Sequence, residues 1–135
     1  MGLFESFQIS GSGLSAERLR KDLVASNLAN ANTTAKPGES IFRRKLAMFM
    51  PEPVSSTSSL TGVRVSRIVE DPALPKLVYD PSHPDANKDG YVAYANVNPI
   101  LEMIDLLAAS RAYQANLASL DTTKDMMLSA LQIAT

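Results

Sequence analysis

Apolar and polar positions change their period twice along this 135-residue chain. From Asn98 to about Ile133 the apolar residues follow helical spacing, and the stretch holds no Gly and one Pro, Pro99, at its front. Asn98 is a favourable N-cap, and proline is tolerated at the first helical position because its missing N–H would have no intrahelical partner there. Glu102 and Asp105 place negative charge in the early turns, where the helix dipole favours it. The spacing predicts one helix of about 35 residues, roughly 50 Å long at 1.5 Å per residue.

That helix carries two stripes. Steps of three and four from Met103 select Met103, Leu106, Ser110, Tyr113, Leu117, Leu120, Lys124, Met127 and Leu131. This seven-residue repeat of large side chains, interrupted by Ser110 and Lys124, predicts coiled-coil packing. A second stripe contains Ala108, Ala112, Ala115 and Ser119, small residues that let a neighbour approach closely. A helix apolar or small on two sides is either enclosed or shared between chains. A chain with four Phe, four Tyr and no Trp has little with which to enclose it. Sharing is the favoured reading, with a self-contained helical hairpin as the alternative.

The first third is also helical. Leu14, Leu19, Leu23, Val24 and Leu28 share a broad side with several alanines, against Glu17, Arg18, Arg20, Lys21 and Asp22. Ser10-Gly11-Ser12-Gly13 reads as a break or helix-start loop, with Ser12 capping a helix from about Leu14. Asn27, Asn30 and Asn32 then crowd the end. Asn disfavours helix interiors because its side chain competes for backbone hydrogen bonds. These amides are expected to bond across to a packed neighbour and fix register, the alternative being a frayed end.

Between the helices the period falls to two. Ile41–Met50 and Thr61–Glu70 alternate as strands, Lys76–Asp80 is a short third strand and Tyr91–Tyr94 a fourth. Pro51–Ser59 reads as a polar, proline-flanked loop and Pro81–Gly90 as another. The fold class expected is α+β. Long N- and C-terminal helices pack as a coiled-coil-like hairpin around a small central β module that protrudes from one end. The expected divisions are 1–34, an assembly helix with a flexible start; 35–97, the β-rich module; and 98–135, the long assembly helix.

Composition removes several function classes. A net charge of −1 gives no basic field for nucleic acid. The absence of Cys removes disulfides and thiolate chemistry. No apolar run reaches the length of a membrane span, so direct membrane insertion is not expected. The segment MGLFESFQISGSG has no basic region ahead of its apolar residues and does not read as a cleaved signal. Met1-Gly2 with Ser6 fits a myristoylation pattern, a short match that arises readily by accident.

Candidate chemistry is sparse. Asp85, Asn87, Asp89 and Gly90 match the first half of a calcium loop, but Asn96 stands where the bidentate Glu is needed and Pro81-Ser82-His83-Pro84 cannot form the incoming helix. A turn entering a strand is the simpler reading. His83, the only imidazole, lies in a loop without a nucleophile elbow nearby in sequence. Arg43-Arg44-Lys45 reads as a solvated strand edge. No cofactor and no metal site is expected, and nothing points to an enzyme.

Several motifs occur in a recognisable order. Leu14-Ser15-Ala16-Glu17-Arg18-Leu19-Arg20 is followed by Ser26-Asn27-Leu28-Ala29-Asn30-Ala31-Asn32-Thr33. Tyr79-Asp80-Pro81-Ser82-His83-Pro84-Asp85-Ala86, Gly90-Tyr91-Val92 and Asn96-Val97-Asn98 come next. Glu102-Met103-Ile104-Asp105-Leu106 and Ser110-Arg111-Ala112-Tyr113-Gln114-Ala115-Asn116 close the series. Over almost its whole length the chain resembles the axial proteins of the bacterial flagellum, and among them the proximal rod subunits. It departs at Ala95, where the family usually has Pro, and 53–61 carries no family motif.

The resemblance implies a structural, non-enzymatic subunit of the periplasm-spanning rod. It implies export by the flagellar type III apparatus without signal cleavage, and terminal helices that stack with those of neighbouring rod subunits, of its own kind and others. The assembly residues expected are Leu14, Leu19, Leu23 and Leu28 against Leu106, Tyr113, Leu117, Leu120, Met127 and Leu131, with Asn27, Asn30 and Asn32 setting register. Ala108, Ala112, Ala115 and Ser119 would receive a neighbour. The alternatives are another proximal rod protein of the same family and, from a different class, a soluble helical adaptor or export chaperone.

Overall fold

A computed structural model describes residues 2–57 and 59–134. Its elements in order are α1 (Leu3–Ala29), β1 (Thr34–Ala35), β2 (Lys45–Pro53), β3 (Thr61–Glu70), β4 (Lys76–Tyr79), β5 (Tyr91–Tyr94) and α2 (Pro99–Ala134). The class is α+β, with the two long terminal helices packed together beside small sheets. Ser58, inside the loop expected over Pro51–Ser59, lies outside the described residues, as do Met1 and Thr135.

The helix α2 begins as its sequence requires. The Asn98 side-chain oxygen accepts the Ile100 and Leu101 N–H groups at 3.0 and 3.4 Å, and Pro99 follows as the first helical residue. The helix α1 begins earlier than expected, at Leu3, and runs unbroken through Ser10-Gly11-Ser12-Gly13. Packing explains this. Ser10 and Gly13 are buried, and a Cβ on Gly13 would sit 2.8 Å from Asn116 Nδ2. Close approach to α2 outweighs the helix penalty of glycine, which is about 1 kcal/mol per residue.

The helices run antiparallel in a constant register. Asn27 faces Glu102, Gly13 faces Asn116 and Ser10 faces Ser119. Continued outward, that register brings the start of α1 level with about Met126. Roughly the last two turns of α2 therefore extend past the end of α1.

The small central β region between the helices consists of two sheets. Strands β1, β5 and β4 form an antiparallel three-stranded sheet in that order, and β2 and β3 form a separate antiparallel hairpin. The two-residue strand β1 had no signal in the sequence. The first hairpin strand starts at Lys45, because Ile41 and Phe42 are used instead to cover the buried cluster Ala31, Ala95 and Val97. It also runs past Pro51 to Pro53. A two-stranded ribbon tolerates prolines whose missing N–H would point away from the partner strand. The register slips between Met48 and Phe49, where a bulge lets the ribbon twist.

The hairpin does not protrude from the end of the molecule; it lies back along α1. At its base Lys45 meets Asn27, and at its far end Val63 N–H donates to Ser12 Oγ at 3.1 Å. Those contacts are fifteen residues apart on α1, a rise of about 22 Å. The strand β2 covers a similar distance at about 3.3 Å per residue, so the two elements match in length.

Candidate assembly surface and the polar node beneath it

The helix seam uses half of the expected stripe. Leu106, Tyr113, Leu120 and Met127 are partly buried, one heptad apart. The positions alternating with them are Glu102, Ala109, Asn116 and Thr123, also one heptad apart. Leu117 and Leu131, expected in the seam, are 41% and 64% exposed. A turn of about 100° per residue moves Leu117 out when Asn116 moves in. Small and polar side chains hold the inner positions because the helices lie too close for leucine, as Gly13 against Asn116 shows. On α1, Leu14, Leu19, Leu23 and Leu28 are all partly buried, flanking the fully buried Ala16, Val24 and Asn27.

At the wide end the seam closes on a polar node. The Asn27 carboxamide faces the backbone of Lys45 as another strand would. Its Nδ2 donates to the Lys45 carbonyl at 2.9 Å, and its Oδ1 accepts the Lys45 N–H at 2.8 Å. The second Nδ2 proton goes to Glu102 Oε2 at 3.1 Å. Asn27 and Glu102 are both 0% exposed. Arg44 Nε donates to the other Glu102 oxygen, and Arg44 Nη2 donates to Asp105 Oδ2 at 3.1 Å. Asp105 Oδ1 is also 3.8 Å from Arg20, which pairs along α1 with Glu17. The node joins α1, β2 and α2. A buried carboxylate is tolerable only when paired and hydrogen-bonded, and here both oxygens of Glu102 are engaged.

The other two asparagines act differently. Asn30 Nδ2 turns back to the Ser26 carbonyl at 2.8 Å and its Oδ1 accepts the Thr33 hydroxyl, so it closes the end of its own helix. Asn32 is exposed. Only Asn27 of the three reaches across to another element. Sequence reasoning missed Glu102 and Arg44 as buried partners. Glu102 carried a signal only as an early-turn acid, and Arg44 sat in a basic run that read as a solvated edge. Arg43 is indeed exposed, whereas Arg44 turns inward.

The outer side of α2 is open. Ile100, Leu101, Met103, Ile104 and Leu107 are exposed near its start, and Met126, Leu128, Leu131 and Ile133 near its end. Between them lie the exposed Ala108 and Ala115, with Ala112 half-buried, while Ser119, expected among them, turns to the edge of the seam, where its hydroxyl accepts from Ser10 Oγ at 3.2 Å. Phe4 and Phe7 of α1 add exposed apolar surface at the same end as Ile133, which is 87% exposed. Large exposed apolar side chains thus cluster at both ends of α2.

The loop 80–90 is organised by local bonds. Asp80 Oδ1 accepts the Ser82 hydroxyl at 2.6 Å and the Ser82 N–H at 3.1 Å, and the hydroxyl bond above all lowers the Asp80 pKa. His83 Nδ1 accepts the Asp85 N–H at 3.1 Å, and the ring leans on Tyr94. The Asp85 carboxylate takes the Thr34 hydroxyl at 2.6 Å. Gly90, at φ +83°, turns the chain into β5. Among the described residues no three His, Asp or Glu side chains gather as a metal site, and no helix is long and apolar enough to cross a membrane.

Comparison with known proteins places these features. Residues 7–35, covering most of α1 through β1, match the family described as flagella basal body rod protein. Residues 88–133 match the C-terminal family of the flagellar basal body rod FlgEFG proteins. The flagellar basal-body rod protein FlgC of Bacillus subtilis is 43% identical over 98% of this chain and 99% of its own length. Those of Borreliella burgdorferi and Salmonella typhimurium are each 40% identical, over 98% of this chain and 98% of their own lengths. The chain belongs to the FlgC family of flagellar basal-body rod proteins. It is a structural subunit of the flagellum. The two family matches cover the helical ends and include both halves of the node, Asn27 and Glu102. The hairpin β2–β3 and strand β4 lie between them.

Proposed function

We propose that this subunit builds the rod by helix packing on the open face of α2, joining copies of itself and other rod subunits. The observation that carries the reading is the uncovered length of α2. Its last two turns outrun α1, and its outer side is apolar at both ends with a small-residue waist at Ala108 and Ala115. A helical tube requires contacts that do not close on themselves. An outer face of large ends and a small middle offers a knob and a recess to different neighbours. Leu14, Leu19, Leu23 and Leu28 with Leu106, Tyr113, Leu120 and Met127 would hold each subunit's own hairpin closed. Leu117 and Leu131 would belong to the neighbour contact.

On this reading the chain sits in the periplasmic rod, reaches it through the flagellar export apparatus without signal cleavage, and does no catalysis. Cysteines at Ile104, Leu117 and Leu128, read by cross-linking in isolated basal bodies, test it. Intersubunit cross-links from all three are expected. Cross-links confined to positions on the hairpin or the three-stranded sheet would overturn it. A soluble adaptor or export chaperone would instead remain outside the basal body.

A further inference from the structure

The outer side of α2 carries charges that its own chain does not answer. Arg111 is exposed one heptad after the exposed Ile104, and Asp121 and Asp125 are exposed further along. Among the described residues none of the three charged side chains has an ion pair or a side-chain hydrogen bond. The positions three and four residues from Arg111 are Leu107, Ala108, Gln114 and Ala115, so its own helix offers it no carboxylate. Asp121 and Asp125 lie one turn apart and repel one another. Lys124, the one cation within four residues of both, points about 100° round the helix from Asp125, toward the seam.

The same side is sorted by size. Leu101 and Ile104 near the start and Met126 near the end are each more than half exposed, with Ala108, Ala112, Ala115 and Ala118 between them. Arg111 and Asp125 are fourteen residues apart, about 21 Å along the axis. Fourteen residues are two heptads, a shift that returns a helix face to itself in coiled-coil packing. Sliding a parallel copy of α2 by that distance sets Arg111 against Asp125, Ile104 against Ala118, Leu101 against Ala115 and Met126 against Ala112. Without a shift, Arg111 would face Arg111 and Ile104 would face Ile104. A shift of one heptad or of three brings no opposite charges together on this face.

We propose that α2 of a second copy packs parallel on the outer side of α2, displaced by two heptads, with an Arg111–Asp125 ion pair fixing the stagger and Asp121 one turn away. This stagger rests on the assembly reading above and names the partner segment and its register. Charges across an interface set register and partner choice more than affinity. The displacement leaves the far end of each helix open to the next copy, so the array does not close on itself.

Charge reversal tests the pair. Arg111→Asp and Asp125→Arg should each abolish motility and entry into basal bodies, and the double variant should restore both. Both residues are exposed, so the isolated variants should melt with the parent. A double variant that folds yet stays non-motile would overturn the proposal. Cross-linking decides the stagger independently of any charge. In basal bodies from cells carrying Ile104→Cys and Ala118→Cys, oxidation should join residue 104 of one copy to residue 118 of another, read by mass spectrometry of the linked peptides. The two cannot join within one chain, being about 21 Å apart on one helix. A 118–118 link, the mark of antiparallel helices, or a link only to a different rod protein would overturn the stagger. So would the absence of the 104–118 link where other α2 cysteines do cross-link between subunits. If no cysteine on α2 cross-links between subunits, the assembly reading fails and the stagger with it.

Discussion

Asn27 donates to Glu102 at 3.1 Å across the helix seam, and neither side chain is exposed. The bond crosses 75 positions of sequence and closes the loop that contains both sheets. Removing Glu102 as Glu102→Leu leaves Arg44 and the Asn27 amide without their shared acceptor. Breaking one partner of a buried charged pair costs about 3–5 kcal/mol. Glu102→Leu should lower the thermal midpoint strongly, and Glu102→Gln less, since the amide retains one acceptor for Asn27. Adding Arg44→Leu to Glu102→Leu should recover part of the loss. Calorimetry on these proteins and on Arg44→Leu alone checks this; a loss in the double variant equal to the sum of the two single losses would refute the coupling.

Gly11 and Gly13 provide a matched contrast within one helix. A Cβ on Gly11 meets nothing within 4 Å, whereas one on Gly13 reaches Asn116 at 2.8 Å. Gly11→Ala should stabilise by about 0.5–1 kcal/mol through helix propensity alone. Gly13→Ala should destabilise by about 1–2 kcal/mol because overpacking exceeds that gain. Asn116→Ala in the Gly13→Ala background should restore much of the difference in urea midpoint.

Leu117 and Leu120 are one turn apart and about 60° around α2, the first on the exposed flank of the seam and the second partly buried in it. Leu120→Asp should unfold the helix pair, with a loss of circular dichroism at 222 nm. Leu117→Asp should leave the isolated subunit's melting curve within about 0.5 kcal/mol of the parent. It should nonetheless abolish motility and rod assembly. Motile cells carrying Leu117→Asp would remove that residue from the neighbour contact.

Asp80 supplies the pH dependence. Its pKa lies below the ordinary 3.8, chiefly through the Ser82 hydroxyl. A carboxyl depressed in the folded state adds stability that is complete above its unfolded value and fades as pH falls through the folded one. Between neutral pH and pH 5 the parent should therefore exceed Asp80→Asn in melting temperature by a small, constant margin. Below about pH 4 the two melting curves should converge. A margin that persists at low pH would exclude the titration as its source.

Much of the fold was legible because local signals agreed with tertiary use. Asn98-Pro99 marked the start of α2, and period-two alternation found β3, β4 and β5. The errors share a cause, which is contact between residues distant in sequence. Ser10-Gly11-Ser12-Gly13 looked like a break, since nothing local reveals that Gly13 faces Asn116. Arg44 looked solvated, since Glu102 lies 58 positions away. The helix stripe was displaced by one position because leucine dominates a hydrophobicity pattern, while the closest part of this seam is made of Ala109, Asn116 and Thr123. The three-asparagine run did signal a cross-element bond, but composition could not say that Asn27 alone would make it. The open outer face of α2 is visible in sequence as a small-residue stripe; of its large apolar ends, Met103 and Leu131 fall on the stripe that periodicity assigns to the seam.

The antiparallel register also brings the start of α1 and the end of α2 together. Residues near Leu3 and near Ala134 emerge at one pole, and the three-stranded sheet occupies the other. A reporter fused at either terminus would therefore crowd the same pole and obstruct the same neighbours. A small epitope placed in the turn 81–84, at the opposite pole, would report the subunit's orientation along the rod while leaving both helix ends free.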